Sequence, residues 1–294
     1  VGERRALHLI ETEELAERLA AGDPNLRVVD LRGSVKLQQA ADGGYEATFR
    51  DAREDYARSH IPGAVYLDWT RDIVDEDDPV PLQIAPAEKI ARVFGEAGLG
   101  DETLIVAYDA DPLSMFATRL WWVFKVYGHG NVRVLNGGWD RWVEEGRPTT
   151  SEIPDYPPAT FTPRFQPEWR VSVEQVAAAL NRPDVALIDA RAESMYTGRV
   201  RLGKRGGHIP GARLANRAAL YAEDGRFRPD TDLAKVMAQS GIQPEQQVIT
   251  YCIGGVASTV VLFTLSLLGY PRLANYDGSW LEWSEREELP IEGA

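Results

Sequence analysis

Cys252 is the only cysteine in 294 residues, and its surroundings are those a reactive thiol needs. The segment reads Tyr251-Cys252-Ile253-Gly254-Gly255-Val256-Ala257-Ser258. Upstream, Gln247 to Tyr251 reads as a buried strand. Downstream, Ala257 to Leu268 is apolar, free of Gly and Pro, and too long for most strands, so it reads as a helix. A thiol in that turn faces converging backbone N–H groups and the positive end of the helix dipole. Gly254 and Gly255 are expected to take positive φ angles and curl the loop amides inward. Such a setting lowers a cysteine pKa from about 8.5 into the roughly 3.5–7.5 range, making the thiolate a nucleophile. The competing reading, a small buried hydrophobe, leaves the Gly-Gly turn without a purpose.

Other chemistries find little support. One Cys and four His (His8, His60, His129, His208) show no metal-ligand spacing, so no metal is expected. No dinucleotide glycine fingerprint or P-loop lysine motif occurs, and no cofactor is expected. A phosphatase or arsenate reductase with a Cys-x5-Arg loop would need a guanidinium where this chain has Ser258. A net charge of −13 argues against nucleic acid or an anionic membrane as partner. Against that background, Ser194 to Ala222 has no acidic residue and six basic ones: Arg199, Arg201, Lys204, Arg205, Arg213 and Arg217. Either some of them draw an anion to Cys252, or they form a solvated basic loop. A single cysteine forms no internal disulfide, and no apolar run is long enough to span a bilayer. The start lacks a signal-peptide core, so the cytoplasm is the expected compartment.

The elements that must position the cysteine occur twice. Leu26 to Arg32 matches Val185 to Arg191, each ending Asp-x-Arg. Ser59-His60-Ile61-Pro62-Gly63-Ala64 matches Gly207-His208-Ile209-Pro210-Gly211-Ala212. Leu104 to Asp109 matches Val248 to Cys252, and Asn136 to Trp142 matches Asp277 to Trp283. Four motifs in one order indicate a duplicated domain, with an insertion between Asp30 and His60. Six prolines between Pro148 and Pro167 mark an extended surface linker. Short apolar strands alternate with amphipathic helices such as Thr12–Ala21 and Ser172–Leu180, whose first residues are candidate N-caps. That alternation predicts an α/β fold, each half a parallel sheet with helices on both faces. Ligands then sit at the carboxyl ends of the strands, where Cys252 lies. Trp139, Trp142, Trp280 and Trp283 are expected to pack in the core or between halves.

Both His-Ile-Pro-Gly-Ala motifs, the strand-Cys-loop-helix and the closing Asp-Gly-Ser-Trp-Leu-Glu-Trp together make the chain resemble the two-domain rhodanese sulfurtransferases, over about Leu7 to Pro290. The resemblance implies an inert N-terminal rhodanese-like domain (1–148), a linker (149–167) and a catalytic C-terminal domain (168–294). In the inert domain Asp109 stands where the cysteine would be. It implies that Cys252 takes sulfur from thiosulfate or 3-mercaptopyruvate as a persulfide and passes it to cyanide, a thiol or a protein acceptor. Loop amides from Ile253, Gly254, Gly255, Val256, Ala257 and Ser258 would stabilise it. A carrier that serves only a protein partner is the alternative. The family often places anion-binding residues before the second His-Ile-Pro-Gly-Ala, which favours Arg199, Arg201, Lys204 and Arg205, with Arg191 nearby. In the mercaptopyruvate branch a first-domain histidine and an upstream aspartate work with a loop serine; by motif these are His60 and Asp51. Here the serine position is Gly254, so that triad is incomplete. The arginine that both branches place four residues beyond Arg191 is Met195, and Ile253 to Ala257 carries no charge. These departures leave the donor open between thiosulfate and 3-mercaptopyruvate.

Overall fold

The computed structural model describes residues 2–293. Its first half contains strands β1 (Leu9–Ile10), β2 (Leu26–Asp30), β3 (Gly33–Gln39), β4 (Tyr45–Asp51), β5 (Ala64–Tyr66), β6 (Leu104–Tyr108) and β7 (Val132–Leu135). Its helices are α1 (Gly2–His8), α2 (Thr12–Ala20), α3 (Arg53–Arg58), α4 (Ala87–Glu96), α5 (Met115–Val126) and α6 (Gly138–Glu144). The second half contains β8 (Arg170–Val171), β9 (Val185–Asp189), β10 (Arg213–Leu214), β11 (Gln247–Tyr251) and β12 (Leu273–Tyr276). Its helices are α7 (Val173–Ala179), α8 (Glu193–Tyr196), α9 (Asp230–Gln239), α10 (Ser258–Leu268) and α11 (Ser279–Trp283).

Each half folds around a five-stranded parallel sheet with helices on both faces. The strand orders are β1-β7-β6-β2-β5 and β8-β12-β11-β9-β10, so the repeat in sequence is also a repeat in topology. Burial on both faces explains why the central strands are nearly continuous apolar runs. The insertion of the first half forms the antiparallel hairpin β3–β4, which leans onto the second half: the Tyr45 N–H donates to Arg201 O at 2.8 Å.

The halves share an apolar cluster that runs from Leu9 to Leu273. At its centre lie α5 and α10, whose sequences are apolar on nearly every side and which are buried almost throughout. The Thr118 and Thr259 hydroxyls meet across this contact at 2.9 Å. Residues 151–166 carry no regular element and run along the first half, with Phe161 buried and Ala159 N–H donating to Gly95 O. No described helix is long and apolar enough to cross a membrane.

The two candidate caps differ. Ser172 does cap α7, within a capping box completed by Gln175. Thr12 does not cap α2: Glu11 occupies that position, and the Thr12 hydroxyl donates instead to Glu145 at 2.6 Å. A carboxylate in reach is a stronger acceptor than the hydroxyl is a cap. Trp142, Trp280 and Trp283 are buried and Trp139 is half-buried, as core packing requires.

Candidate active site

β11 delivers Cys252 to the carboxyl end of the second sheet, and α10 begins six residues later at Ser258. The Cys252 N–H donates to Ser279 Oγ at 3.1 Å, and its carbonyl accepts the Trp280 N–H. Beyond it, no backbone N–H from Ile253 to Ser258 donates to a protein acceptor among the described residues. Six successive amides at the start of a buried helix therefore have hydrogen-bonding capacity to spare around the thiol.

The two glycines serve different ends. Gly255 has φ +73°, and a Cβ there would lie 2.6 Å from Asp277 O, so only glycine fits. Gly254 does not take a positive φ, contrary to expectation; it makes room for the Leu82 side chain, which would come within 2.9 Å of a Cβ.

The outer face of the loop is pinned from the other half. Arg119 of α5, fully buried, donates to Gly255 O at 3.1 Å, to Leu82 O at 2.8 Å and to Asp277 at 2.6 Å. Asn275 Nδ2 donates to the same Gly255 carbonyl, and Ser258 Oγ donates to Asn275 Oδ1. Asp277 also accepts the Ile84 N–H at 2.8 Å and pairs with Arg170 at 3.3 Å. Nothing in the linear spacing of Arg119 and Asp277 pointed to this brace.

Cys252 is 1 % exposed and opens onto a cavity of about 250 Å³ formed by both halves. The first half supplies Val35 and Leu37 of β3, Phe49 of β4, Trp69, Leu82 and Met115. The second supplies Met195, the loop itself, Arg191 and Arg217. The inserted hairpin is thus a wall of the cavity, a role its sequence did not signal.

Among the sequence candidates, Arg191 lines the cavity but is committed elsewhere. Its guanidinium holds Asp189 through Nε and Nη2, donates to Gly207 O at 2.7 Å, and lies 4.1 Å over the Trp280 ring. Burial opposes its charge, but Asp189 more than offsets this and raises its pKa. Tyr251 completes the brace: its hydroxyl donates to Asp189 at 2.7 Å and accepts the Ile209 N–H of the His-Ile-Pro-Gly-Ala turn. Burial and the Asp189 charge push that phenol well above its ordinary value, so it remains a donor. The first half repeats the arrangement with Asp30, Arg32, Trp139, Tyr108 and Ile61.

Arg199, Arg201, Lys204 and Arg205 do not line the cavity. Arg199 bonds Thr197, Arg201 pairs with Asp42 of the hairpin turn, and Lys204 pairs with Glu285. Arg205 donates to the carbonyls of Trp283, Ser284, Arg286 and Leu289, tying down the chain after α11. Of the six basic residues in that stretch, Arg217 alone reaches the cavity. His60 is buried against Tyr56, its nitrogens facing Tyr56 O and Glu152 O, and Asp51 is exposed and accepts the Arg53 N–H. Neither is brought to Cys252.

The family profile of the Rhodanese-like domain matches residues 11–145 and again 172–286. The chain belongs to the rhodanese family. Its fold is the rhodanese fold, and it is a rhodanese-type sulfurtransferase. Among related rhodanese sequences, a sulfur carrier protein of Thermus thermophilus, TtuD, is 32% identical over 96% of this chain and 95% of its own. A thiosulfate sulfurtransferase of Rattus norvegicus is 32% identical over 95% of this chain and 92% of its own. In three dimensions the rhodanese SseA of Escherichia coli, described as a 3-mercaptopyruvate sulfotransferase, superposes with a TM-score of 0.80 at 28% identity, covering 92% of this chain and 98% of that one.

Proposed function

We propose that this rhodanese moves a sulfane sulfur from a small anionic donor to cyanide or a thiol through a Cys252 persulfide. The catalytic unit is 168–294; residues 1–148 are inert in chemistry and shape the cavity, and 149–167 join the two. The observation that carries this reading is the row of unpartnered amides from Ile253 to Ser258 around a buried thiol.

With thiosulfate, the Cys252 thiolate attacks the outer sulfur; the S–S bond breaks and its electron pair leaves with sulfite. With 3-mercaptopyruvate the C–S bond breaks instead. Its electron pair passes to the methylene carbon as the pyruvate enolate, which takes up the proton the thiol carried. Either route leaves Cys252–S–S⁻, whose terminal charge the loop amides can stabilise without reorganising. Cyanide then attacks the outer sulfur, forms thiocyanate and returns the thiolate, a double displacement that needs no redox partner. The enclosed cavity suits small soluble reactants, and the cytoplasm is the proposed place of action.

A second reading, a carrier that yields its sulfur only to a protein, is supported by the name of the Thermus thermophilus relative. One experiment tests both: thiocyanate formation with each donor, paired with intact-mass detection of the persulfide, for wild type and Cys252→Ser. Turnover that requires Cys252 supports the enzyme. A stable persulfide with no small-molecule turnover supports the carrier, and turnover in Cys252→Ser sinks both.

A further inference from the structure

Arg217 lines the Cys252 cavity with a guanidinium that is largely unspent. Its Nε donates to Ala190 O at 2.6 Å. Neither terminal nitrogen donates to a protein acceptor among the described residues, and Nη1 is buried. Arg217 makes no salt bridge among the described residues, although Asp111 lies within Coulombic reach. A buried N–H without an acceptor is costly, and such groups in a cavity wall point to a ligand that completes them.

The other guanidinium of the cavity is already neutralised, because Asp189 holds Arg191 at 2.6 Å. The cavity therefore has one guanidinium that is not ion-paired, Arg217, with Asp111 near enough for its carboxyl to feel the charge. Most of the remaining wall is apolar, with Trp69, Phe49 and Met195 among its larger side chains. Thiosulfate is a compact dianion without carbon. It would bring a second negative charge into this low-dielectric chamber and leave the apolar wall unused. A singly charged organic donor matches both features, with its acid group on the guanidinium and its carbon skeleton against the wall.

We propose that Arg217 anchors the acid group of a monoanionic organic sulfur donor beside Cys252, so that the enzyme prefers a mercapto-2-oxocarboxylate to thiosulfate. This rests on the sulfur-transfer reading above. It also gives a physical meaning to Met195: with an apolar residue there, the anionic end of the donor is met from the Arg217 side of the cavity. Arg217 follows β10 in a short 3₁₀ turn (Arg217–Leu220), outside the stretch between Arg199 and Arg205 that sequence reasoning favoured.

The test has two arms. In the first, thiocyanate formation is followed with 3-mercaptopyruvate and with thiosulfate for wild type, Arg217→Met and Arg217→Lys. Loss of a charge-assisted hydrogen bond is expected to raise the KM for 3-mercaptopyruvate about tenfold or more in Arg217→Met. Its kcat should change little, and Arg217→Lys should recover part of the loss. The second arm needs no sulfur transfer: the alkylation rate of Cys252 by iodoacetate is divided by that by iodoacetamide. A positive charge at the cavity wall favours the anionic reagent, and Arg217→Met is expected to lower the ratio about fivefold or more. The proposal is overturned if wild type prefers thiosulfate by kcat/KM, or if Arg217→Met leaves both the KM and the alkylation ratio unchanged. A wild type that forms no thiocyanate but shows an Arg217-dependent alkylation ratio would sink the sulfur-transfer reading and keep the anion anchor. Thermal melts of both variants check that the fold is retained.

Discussion

The two strand-to-helix loops of this molecule have equal length and opposite contents. One leaves Tyr108 at Asp109 and enters α5 at Met115; the other leaves Tyr251 at Cys252 and enters α10 at Ser258. In the first, the Asp109 carboxylate accepts the N–H groups of Asp111, Phe116 and Ala117 at 3.2, 2.8 and 2.8 Å. In the second, the amides from Ile253 to Ser258 have no protein acceptor among the described residues. The first half fills its cradle with a side chain of its own. The second leaves its cradle free, as the proposed sulfur transfer requires. Beneath both, the same Tyr–Asp–Arg brace holds the His-Ile-Pro-Gly-Ala turn, so the difference in chemistry lies in the loops and not in their support.

The sharpest way to break this comparison is at the nucleophile. Cys252→Ser should reduce thiocyanate formation to background while its melting temperature stays close to wild type, since the hydroxyl is smaller and the loop is held by Ser279, Asn275 and Arg119. Next in size is the tie between the halves. Arg119→Met leaves Asp277 buried without its nearest cation and frees the Gly255 carbonyl. A loss of about 3–5 kcal/mol is expected in urea unfolding, together with a lower kcat. Unchanged stability in that variant would mean that Arg170 alone satisfies Asp277.

A smaller effect is expected at the filled cradle. Asp109→Ala strands two buried N–H groups and one half-buried one, and should cost about 2–3 kcal/mol, with sulfur transfer retained. Retained stability would show that the cradle tolerates being empty in both halves. The last prediction concerns pH. Burial, reinforced by Asp111, pushes the Asp109 carboxyl well above its ordinary value of 3.8 despite the amides that favour the anion. The folded state then holds this proton more tightly than the unfolded chain. The stabilisation is complete below the unfolded pKa and fades as pH rises through the folded one. The urea midpoint of wild type should therefore fall relative to Asp109→Asn as pH rises from about 4. A rise instead would mean that the three amides outweigh burial.

Much of the fold was legible in the sequence because duplication repeats its own signals. Two Asp-x-Arg strand ends, two His-Ile-Pro-Gly-Ala turns and two Gly-x-Trp endings gave the order of elements before any strand was placed. The cysteine loop was legible because only Cys252 stands in such a turn. The cavity was not, because its walls come from Phe49, Trp69 and Leu82, residues far apart in the chain that the packing of two domains brings together. The basic stretch misled for a related reason. Arg201, Lys204 and Arg205 find acceptors in the hairpin turn and in the chain after α11, partners that local spacing does not reveal. Arg217 lacked a motif and was distinguishable only by the partners its side chain does not have.

The Arg119–Asp277 pair has a consequence for how the two copies depend on each other. A buried cation in one copy neutralises a buried anion in the other, so deleting either copy takes away half of the pair. Without the first half, Asp277 would keep only the longer contact to Arg170, and the thiol would lose much of its enclosure. The copy without a cysteine is thus a piece of the other copy's interior, and a chain cut at the linker would expose what each half now hides in its twin.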